Sequence, residues 1–439
     1  MKTFFLISFL SLVLHMQAQT VRKLDDLTMG QVDAIINAEM LVNGLPGVNV
    51  GLVYNGRVAY TKAFGLASVG VNATTSTKYP IASVSKTITA MMAMRMIADG
   101  DLGLNTTIDN YVPFYSGTNI TIRHLLCHQS GIGHYADCGS GYNGTFNAIS
   151  SQFVVQTCSR CMTPPGSGTI YSTFGTTLLG CIIDVVGQSV YNKGYIALYN
   201  ERIKNVAGLT NLTAESGNSI PGLAQGYNSD GDPVFGSWND MGWKLPAGGF
   251  VSTAHDLAAF GAGVMNYSFL NSTISNNTMW VKQSTSGNPV NMCQSSLSSP
   301  YGLGFVVSSS GDDLRISHNG LNDHGYSSFL YLYPPQKAGT VLLTNRYEET
   351  SELGVINNNI EGLLLCPSDR DFTSPINWGG NWIYEATNSI SASNAITTTN
   401  SSFVFDAGTA VILKPGFEAL SGSEFRALVE GCGGLIKPY

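Results

Sequence analysis

Pro80-Ile81-Ala82-Ser83-Val84-Ser85-Lys86-Thr87 is the stretch on which the fold turns. Behind it Ile88, Met91, Met92 and Met96 recur with a helical period and Gly100 follows, which predicts a helix over Ser85–Asp99. Ser83 and Lys86 then sit three positions apart at the helix start. Residues at i and i+3 share a face, so an amine can come within hydrogen-bond reach of a serine hydroxyl. The helix N-terminus offers positive potential to the oxyanion formed when that hydroxyl attacks a carbonyl. To act as base, Lys86 must be uncharged part of the time, which burial and nearby positive charge favour. Alone the pair means little, because a serine-rich chain yields about one Ser-x-x-Lys by accident.

Working outward, Leu27, Val32, Ile35, Ile36 and Met40 describe an amphipathic helix. Val48–Tyr54 and Arg57–Phe64 form strand-like runs joined by Asn55-Gly56, a pair suited to the positive φ of a tight hairpin. The middle of the chain holds helices, among them an apolar one around Leu178–Val186, and loops rich in Gly, Ser and Asn. Strands are expected again at Tyr301–Val307, Tyr326–Tyr333 and Thr340–Thr344, and a closing helix at Glu349–Leu365. This order predicts an α/β (α+β) domain over 24–368. Its antiparallel sheet is built from N- and C-terminal strands, flanked by helices, with a mostly helical subdomain inserted. The junction of sheet and insertion is where an active site is expected.

A length of 439 residues accommodates one large domain with an appendage. Hydrophobic residues at 44% against 12% charged mark a packed globular chain. With 29 acidic and 22 basic residues the net charge is -7, which gives no electrostatic basis for binding nucleic acid. Lys2, the apolar run Phe4–Leu14 and Met16-Gln17-Ala18 have the order of a secretory signal peptide over 1–18. The run is short of the roughly 20 residues of a membrane span, so no integral span is expected after cleavage. A secreted, periplasmic or extracellular location follows. In that setting some of the eight cysteines would pair, although Cys127 and Cys181 lie in apolar runs that read as small buried hydrophobes. Cys158 and Cys161 have no second pair at zinc spacing, so no metal is expected.

Past a linker at 369–383, short β-type runs such as Phe403-Val404-Phe405 and Ala410–Leu413 alternate with turn residues. Residues 384–439 are read as a small all-β module. The wording from Ala386 to Asn394, with Ala407-Gly408 and Lys414-Pro415-Gly416-Phe417, resembles a β-repeat module at the end of secreted bacterial proteins. That resemblance implies a spacer or sorting element, with association to a cell surface or envelope.

Further motifs follow Ser83 in order: Arg123 to Ile132, containing His128-Gln129-Ser130-Gly131; Tyr171-Ser172-Thr173; Pro246 to Thr253; and His318-Asn319-Gly320. The ordered set resembles the β-lactamase-related serine hydrolases, a family that includes class C β-lactamases, D,D-carboxypeptidases, D-aminopeptidases and certain esterases. The resemblance covers about residues 27 to 365 and is far more specific than any single motif. It implies Ser83 as nucleophile, Lys86 as its activating lysine and Tyr171 as the proton relay. It makes His318-Asn319-Gly320 the third motif on a strand bordering the cleft, and places the oxyanion hole at the backbone N–H groups of Ser83 and Leu321.

Two positions depart from the family pattern. Thr173 stands where many members have asparagine and supplies one hydroxyl in place of a carboxamide. His318 replaces the lysine of typical β-lactamases, and an imidazole is not a fixed positive charge for a substrate carboxylate. The implied activity is acyl transfer from an ester or amide carbonyl, without cofactor, on a small-molecule or peptide substrate. D-amino-acid peptides, peptidoglycan-type fragments and carboxylic esters rank ahead of β-lactams. A non-catalytic penicillin-binding-like ligand-binding or cell-surface protein is the alternative from another class. His124 and His128, spaced i and i+4, are read as structural residues rather than metal ligands. Asp323 and His324 stay unassigned, and Trp243 and Tyr301 are read equally as rim or packing aromatics.

Overall fold

A computed structural model describes residues 26–429 apart from 135–145, 159–161, 215–219, 235–241, 284–299, 309–313, 348–350, 366–368, 373–380, 387–388, 393–401, 408–409 and 416–423. The chain divides into two compact units. The larger comprises Leu24–Leu365 with Trp378–Trp382. The segment read as a signal peptide lies outside the described residues.

The larger unit is organised on a seven-stranded sheet. Its strand order runs Val71–Asn72, Arg57–Ser68, Gly47–Tyr54, Ala338–Thr344, Tyr326–Tyr333, Ile316–Asn322 and Val306–Val307, with antiparallel neighbours throughout. N- and C-terminal strands thus meet at the centre, where Val48 pairs with Thr344 and Val53 with Gly339. The first hairpin turns at Asn55 and Gly56, both with positive φ (52° and 67°), the conformation that lets a two-residue turn follow the strand twist.

Gly47–Tyr54 is buried on both faces because helices cover the sheet twice. On one side Val32, Ile35 and Ile36 of the Asp26–Asn43 helix are fully buried, and that helix packs with Ser351–Leu364. On the other lies Ala254–Met265. A Cβ on Gly51 would stand 2.6 Å from the Ala254 carbonyl oxygen, so glycine sets how closely helix and strand approach.

The inserted region carries Ser85–Asp99, capped by Gly100 at φ 86°, and the long helix Thr173–Tyr191. The latter is apolar and long enough to cross a membrane, yet most of it is buried in the core. Among helices and loops lies a small sheet ordered Tyr79–Pro80, Phe250–Ser252, Thr213–Ala214, a feature the sequence did not announce.

Two expectations need correction. Tyr301–Val307 is not one strand: only Val306–Val307 is, and the chain folds back so that Tyr301 bridges Val306. Gly302 and Gly304 permit the turn; a Cβ on Gly304 would fall 2.0 Å from Ala90 Cβ. The segment read as a linker holds the strand Asp369–Phe372, which belongs to the smaller unit, and the start of the strand Asn381–Ala386.

Among the described residues that smaller unit is all β, with two three-stranded sheets whose strands alternate along the chain; Asp369–Phe372, Ser389–Ala392 and Ala410–Leu413 run parallel in one, and Ser402–Ala407 runs parallel to Glu424–Leu428 in the other. Asp369 pairs with Ser389 and Ser389 with Ala410, so each repeat of about 20 residues lays one strand on the previous one. Ile390, Ala392, Phe405 and Ala407 are buried, and the Phe405 and Phe425 rings meet edge to face at 5.0 Å.

Candidate active site

Strand Tyr79–Pro80 delivers the chain to Ser83, which sits in the single turn Ala82–Val84 ahead of the Ser85–Asp99 helix. Ala82 carries φ 44°, a left-handed conformation rare for a residue with a side chain. Such a residue costs about 1–3 kcal/mol and persists only where its surroundings over-determine it. Those surroundings are present. Ile81 N–H donates to the Phe250 carbonyl (2.9 Å), and the Ile81 carbonyl accepts from Ser328 Oγ (2.7 Å) and from Val84 N–H (3.0 Å).

Lys86 is almost fully buried, with Nζ 3.0 Å from Ser83 Oγ and 2.7 Å from the Ala247 carbonyl oxygen. Burial, and secondarily the charge of Lys244, hold its amine well below the ordinary lysine range. An uncharged amine has two N–H groups and a lone pair. Donation to Ala247 leaves the lone pair for the Ser83 proton. Ala247 is fixed in turn: the Leu245–Gly248 turn packs on Thr173–Tyr191, where a Cβ on Gly180 would meet Pro246 Cγ at 2.2 Å.

Tyr171 lies over this pair, with Lys86 Nζ 4.9 Å from its ring centre. Three imidazoles surround the ring: His128 at 4.5 Å, His134 at 5.4 Å and His318 at 6.1 Å. Burial is the chief cause holding all three below the ordinary histidine value, His134 and His318 down to about 3. Each has a fixed partner: His128 Nδ1 accepts from Ser172 N–H and His134 Nδ1 from Thr173 N–H, both at 3.2 Å.

Strand Ile316–Asn322 closes the other side. Tyr326–Tyr333 pairs along its whole length, whereas Val306–Val307 covers only Ile316 and Ser317, so among the described residues no strand pairs with its outer edge from His318 onward. Gly320 abuts the nucleophile turn: a Cβ there would stand 2.5 Å from the Ile81 carbonyl oxygen and 2.9 Å from Ser83 N. Leu321, a third exposed, follows it. His318 is buried, with Nδ1 2.6 Å from the Asn319 carbonyl oxygen and Nε2 2.9 Å from Tyr301 Oη.

The structure therefore gathers Ser83, Lys86, Tyr171, His318 and Gly320 around one point. Thr173 opens the Thr173–Tyr191 helix beside them, and its buried hydroxyl has no hydrogen-bond partner among the described residues. His124 and His128 do not form a metal pair. His124 Nδ1 accepts from Thr121 N–H in a capping box of a helix that ends at Leu126, and His128 has φ 59°. No group of metal-ligating side chains occurs among the described residues. Trp243 is a packing aromatic against Phe174, and His324 lies in the turn after Asn322, bonded to its side chain. Cys127 and Cys181 are buried free thiols; the other six cysteine side chains lie outside the described residues. Sequence reading missed His134 and Lys244, which belong to no motif. The Ala247 carbonyl lies within the Pro246 to Thr253 motif, to which the sequence alone assigns no role.

The beta-lactamase family model matches residues 32–362, and the chain belongs to that family, whose members are generally serine hydrolases. It is 28% identical to Protein flp of Staphylococcus aureus (strain N315) over 331 residues, 73% of this chain and 63% of that protein. The chain thus spans under two thirds of that relative's length. The octameric penicillin-binding protein homologue from Pyrococcus abyssi superposes with a TM-score of 0.62 at 21% identity, covering 76% of each chain. A class C beta-lactamase gives a TM-score of 0.62 at 19% identity over 76% of this chain and 95% of the other. At these identities the likeness is one of fold.

Proposed function

We propose that the larger unit is a serine hydrolase working through an acyl-enzyme on an ester or amide carbonyl. The observation that carries this reading is the buried, charge-depleted Lys86 amine 3.0 Å from Ser83 Oγ. Ser83 Oγ attacks the carbonyl carbon while its proton passes to Lys86 Nζ. The backbone N–H groups of Ser83 and Leu321 receive the oxyanion. Tyr171 carries a proton to the departing alcohol or amine, and the acyl group remains on Ser83. Water then gives a proton through Tyr171 to Lys86 and attacks the acyl carbon; the bond from that carbon to Ser83 Oγ breaks as Lys86 returns the proton to Ser83, and the acid leaves.

The substrate class is a D-amino-acid peptide, a peptidoglycan-type fragment or a carboxylic ester, with β-lactams ranked behind them. The enzyme acts outside the cytoplasm, and the repeat unit serves as spacer or sorting element. Labelling with a fluorophosphonate or fluorescent penicillin, present in wild type and lost in Ser83→Ala, supports the enzyme. Turnover on nitrocefin, short-chain p-nitrophenyl esters and D-alanyl peptides ranks the substrates. No labelling and no turnover on any of them favours a non-catalytic binding protein. Truncation after Pro375 tests the spacer: activity is retained and surface association lost.

A further inference from the structure

The chain on either side of Tyr171 is bonded to one segment, His128–His134. Ile170 N–H donates to the His128 carbonyl at 2.8 Å and Ser172 N–H to His128 Nδ1 at 3.2 Å. Ser172 Oγ donates to the Gly133 carbonyl at 3.0 Å, and Thr173 N–H to His134 Nδ1 at 3.2 Å. Ser172 caps the Thr173–Tyr191 helix and Thr173 opens it, so both amides belong to the helix end that has no acceptor of its own. A backbone N–H can only donate. Each Nδ1 therefore presents a lone pair, which fixes both rings as the neutral form with its hydrogen on Nε2.

This strap is anchored from behind. The Gln129 carbonyl accepts from Gly166 N–H at 2.9 Å and the Gly131 carbonyl from Thr163 N–H at 3.0 Å. Gly131 has φ 76°, and a Cβ there would stand 1.9 Å from the Thr163 carbonyl oxygen. Held so, the strap sets the place of what it carries, and both of its imidazoles reach the Tyr171 ring, His128 at 4.5 Å and His134 edge-on at 5.4 Å. His134 thus meets the ring and also the amide two residues beyond it.

We propose that His134 is a positioning residue for proton delivery: by bonding Thr173 N–H and packing against the Tyr171 ring, it holds the Tyr171 hydroxyl where a leaving group needs a proton. The inference rests on the acyl-transfer reading above and confines the role of His134 to one step. Attack by Ser83 runs through Lys86. The departing group is different: an alkoxide must be protonated as its bond to the carbonyl carbon breaks, whereas p-nitrophenolate leaves without a proton. Cleavage of alkyl esters and amides therefore depends on His134 more than cleavage of activated esters does.

The test pairs an ethyl and a p-nitrophenyl ester of one acyl group and reads the ratio of their kcat/KM values, ethyl over p-nitrophenyl. His134→Leu removes the acceptor and should lower that ratio at least about tenfold, against the roughly 100-fold cost of a 1 Å misplacement. His134→Asn, whose Oδ1 stands two bonds from Cβ as Nδ1 does, should keep it within about threefold of wild type. His134→Gln, with its oxygen one bond further out, should fall with His134→Leu and replaces it if that variant does not fold. Tyr171→Phe should lower the ratio at least as far, and adding His134→Leu to it should lower it no more. A merely structural His134 would lower both rates together and leave the ratio flat, which overturns the assignment. Independent losses that multiply in the double variant overturn it too, as does a wild type labelled at Ser83 by fluorophosphonate that leaves the ethyl ester uncut. Those three outcomes spare the acyl-transfer reading; absence of labelling and of all turnover takes down both.

Discussion

The Lys86 amine is nearer to the Ala247 carbonyl oxygen, at 2.7 Å, than to Ser83 Oγ, at 3.0 Å. The two residues come from segments 161 positions apart, so the base is positioned by the fold rather than by its own helix. Burying an amine without a counter-ion is costly to the folded state, and here the gain is a lysine that can accept a proton.

Replacing that amine by an isosteric thioether separates the two effects. Lys86→Met should lower kcat/KM by about 10²–10⁴, the range of a lost general base. Thermal stability should stay level or rise, since an apolar side chain fills the same buried space. Steady-state kinetics and a melting curve on one preparation check both. A variant of unchanged activity would remove Lys86 from the mechanism.

Lys244 contributes the positive charge felt at Lys86. A nearby cation disfavours protonation, so its removal raises the Lys86 value. Activity that needs the neutral amine appears as pH rises through that value. The acid limb of kcat/KM should therefore move to higher pH in Lys244→Met, with the plateau at high pH little changed. A limb that stays in place would show that burial alone sets the base.

Gly320 marks where strand and nucleophile turn touch. In Gly320→Ala the new methyl would lie 2.5 Å from the Ile81 carbonyl oxygen and 2.6 Å from Ser328 Oγ, the contact that holds the strained turn. The turn must shift. A displacement of about 1 Å at a nucleophile costs about 10²-fold in rate, and overpacking costs about 1–3 kcal/mol. The rate of fluorophosphonate labelling reads the first and urea unfolding the second.

Local signals were legible where a residue's own neighbours decide its conformation. Asn55-Gly56, the helix ending at Gly100, and the strand Tyr326–Tyr333 are fixed by turn chemistry and by apolar periodicity over several residues. The Ser83, Lys86 and Gly320 cluster was legible through ordered motifs. What escaped depends on distant partners. Nothing near His134 foretells that its Nδ1 will accept from Thr173 N–H. Tyr301–Val307 has the composition of a strand, yet it turns at Gly302 and Gly304 because helix Ser85–Asp99 crowds it. The linker misreading has the same origin: Asp369–Phe372 becomes a strand only once Ser389–Ala392 lies beside it.

The imidazoles around Tyr171 make stability depend on pH in a calculable direction. In the unfolded chain a histidine takes up its proton below about 6.5, whereas folded His134 and His318 resist until about 3. Their burial is the principal cause, and any charge on Lys86 adds to it. Between those values the unfolded state binds more protons, so the free energy of unfolding falls as the pH falls. The loss begins near pH 6.5 and runs at about 1.4 kcal/mol per pH unit for each such imidazole. Urea unfolding of wild type should therefore give a clearly lower midpoint at about pH 5 than at about pH 7. His318→Gln removes one titrating group and should shrink that difference by about 2 kcal/mol. An unchanged pH slope in His318→Gln would mean that His318 carries a proton in the folded protein, and would place a cation on the third-motif strand after all.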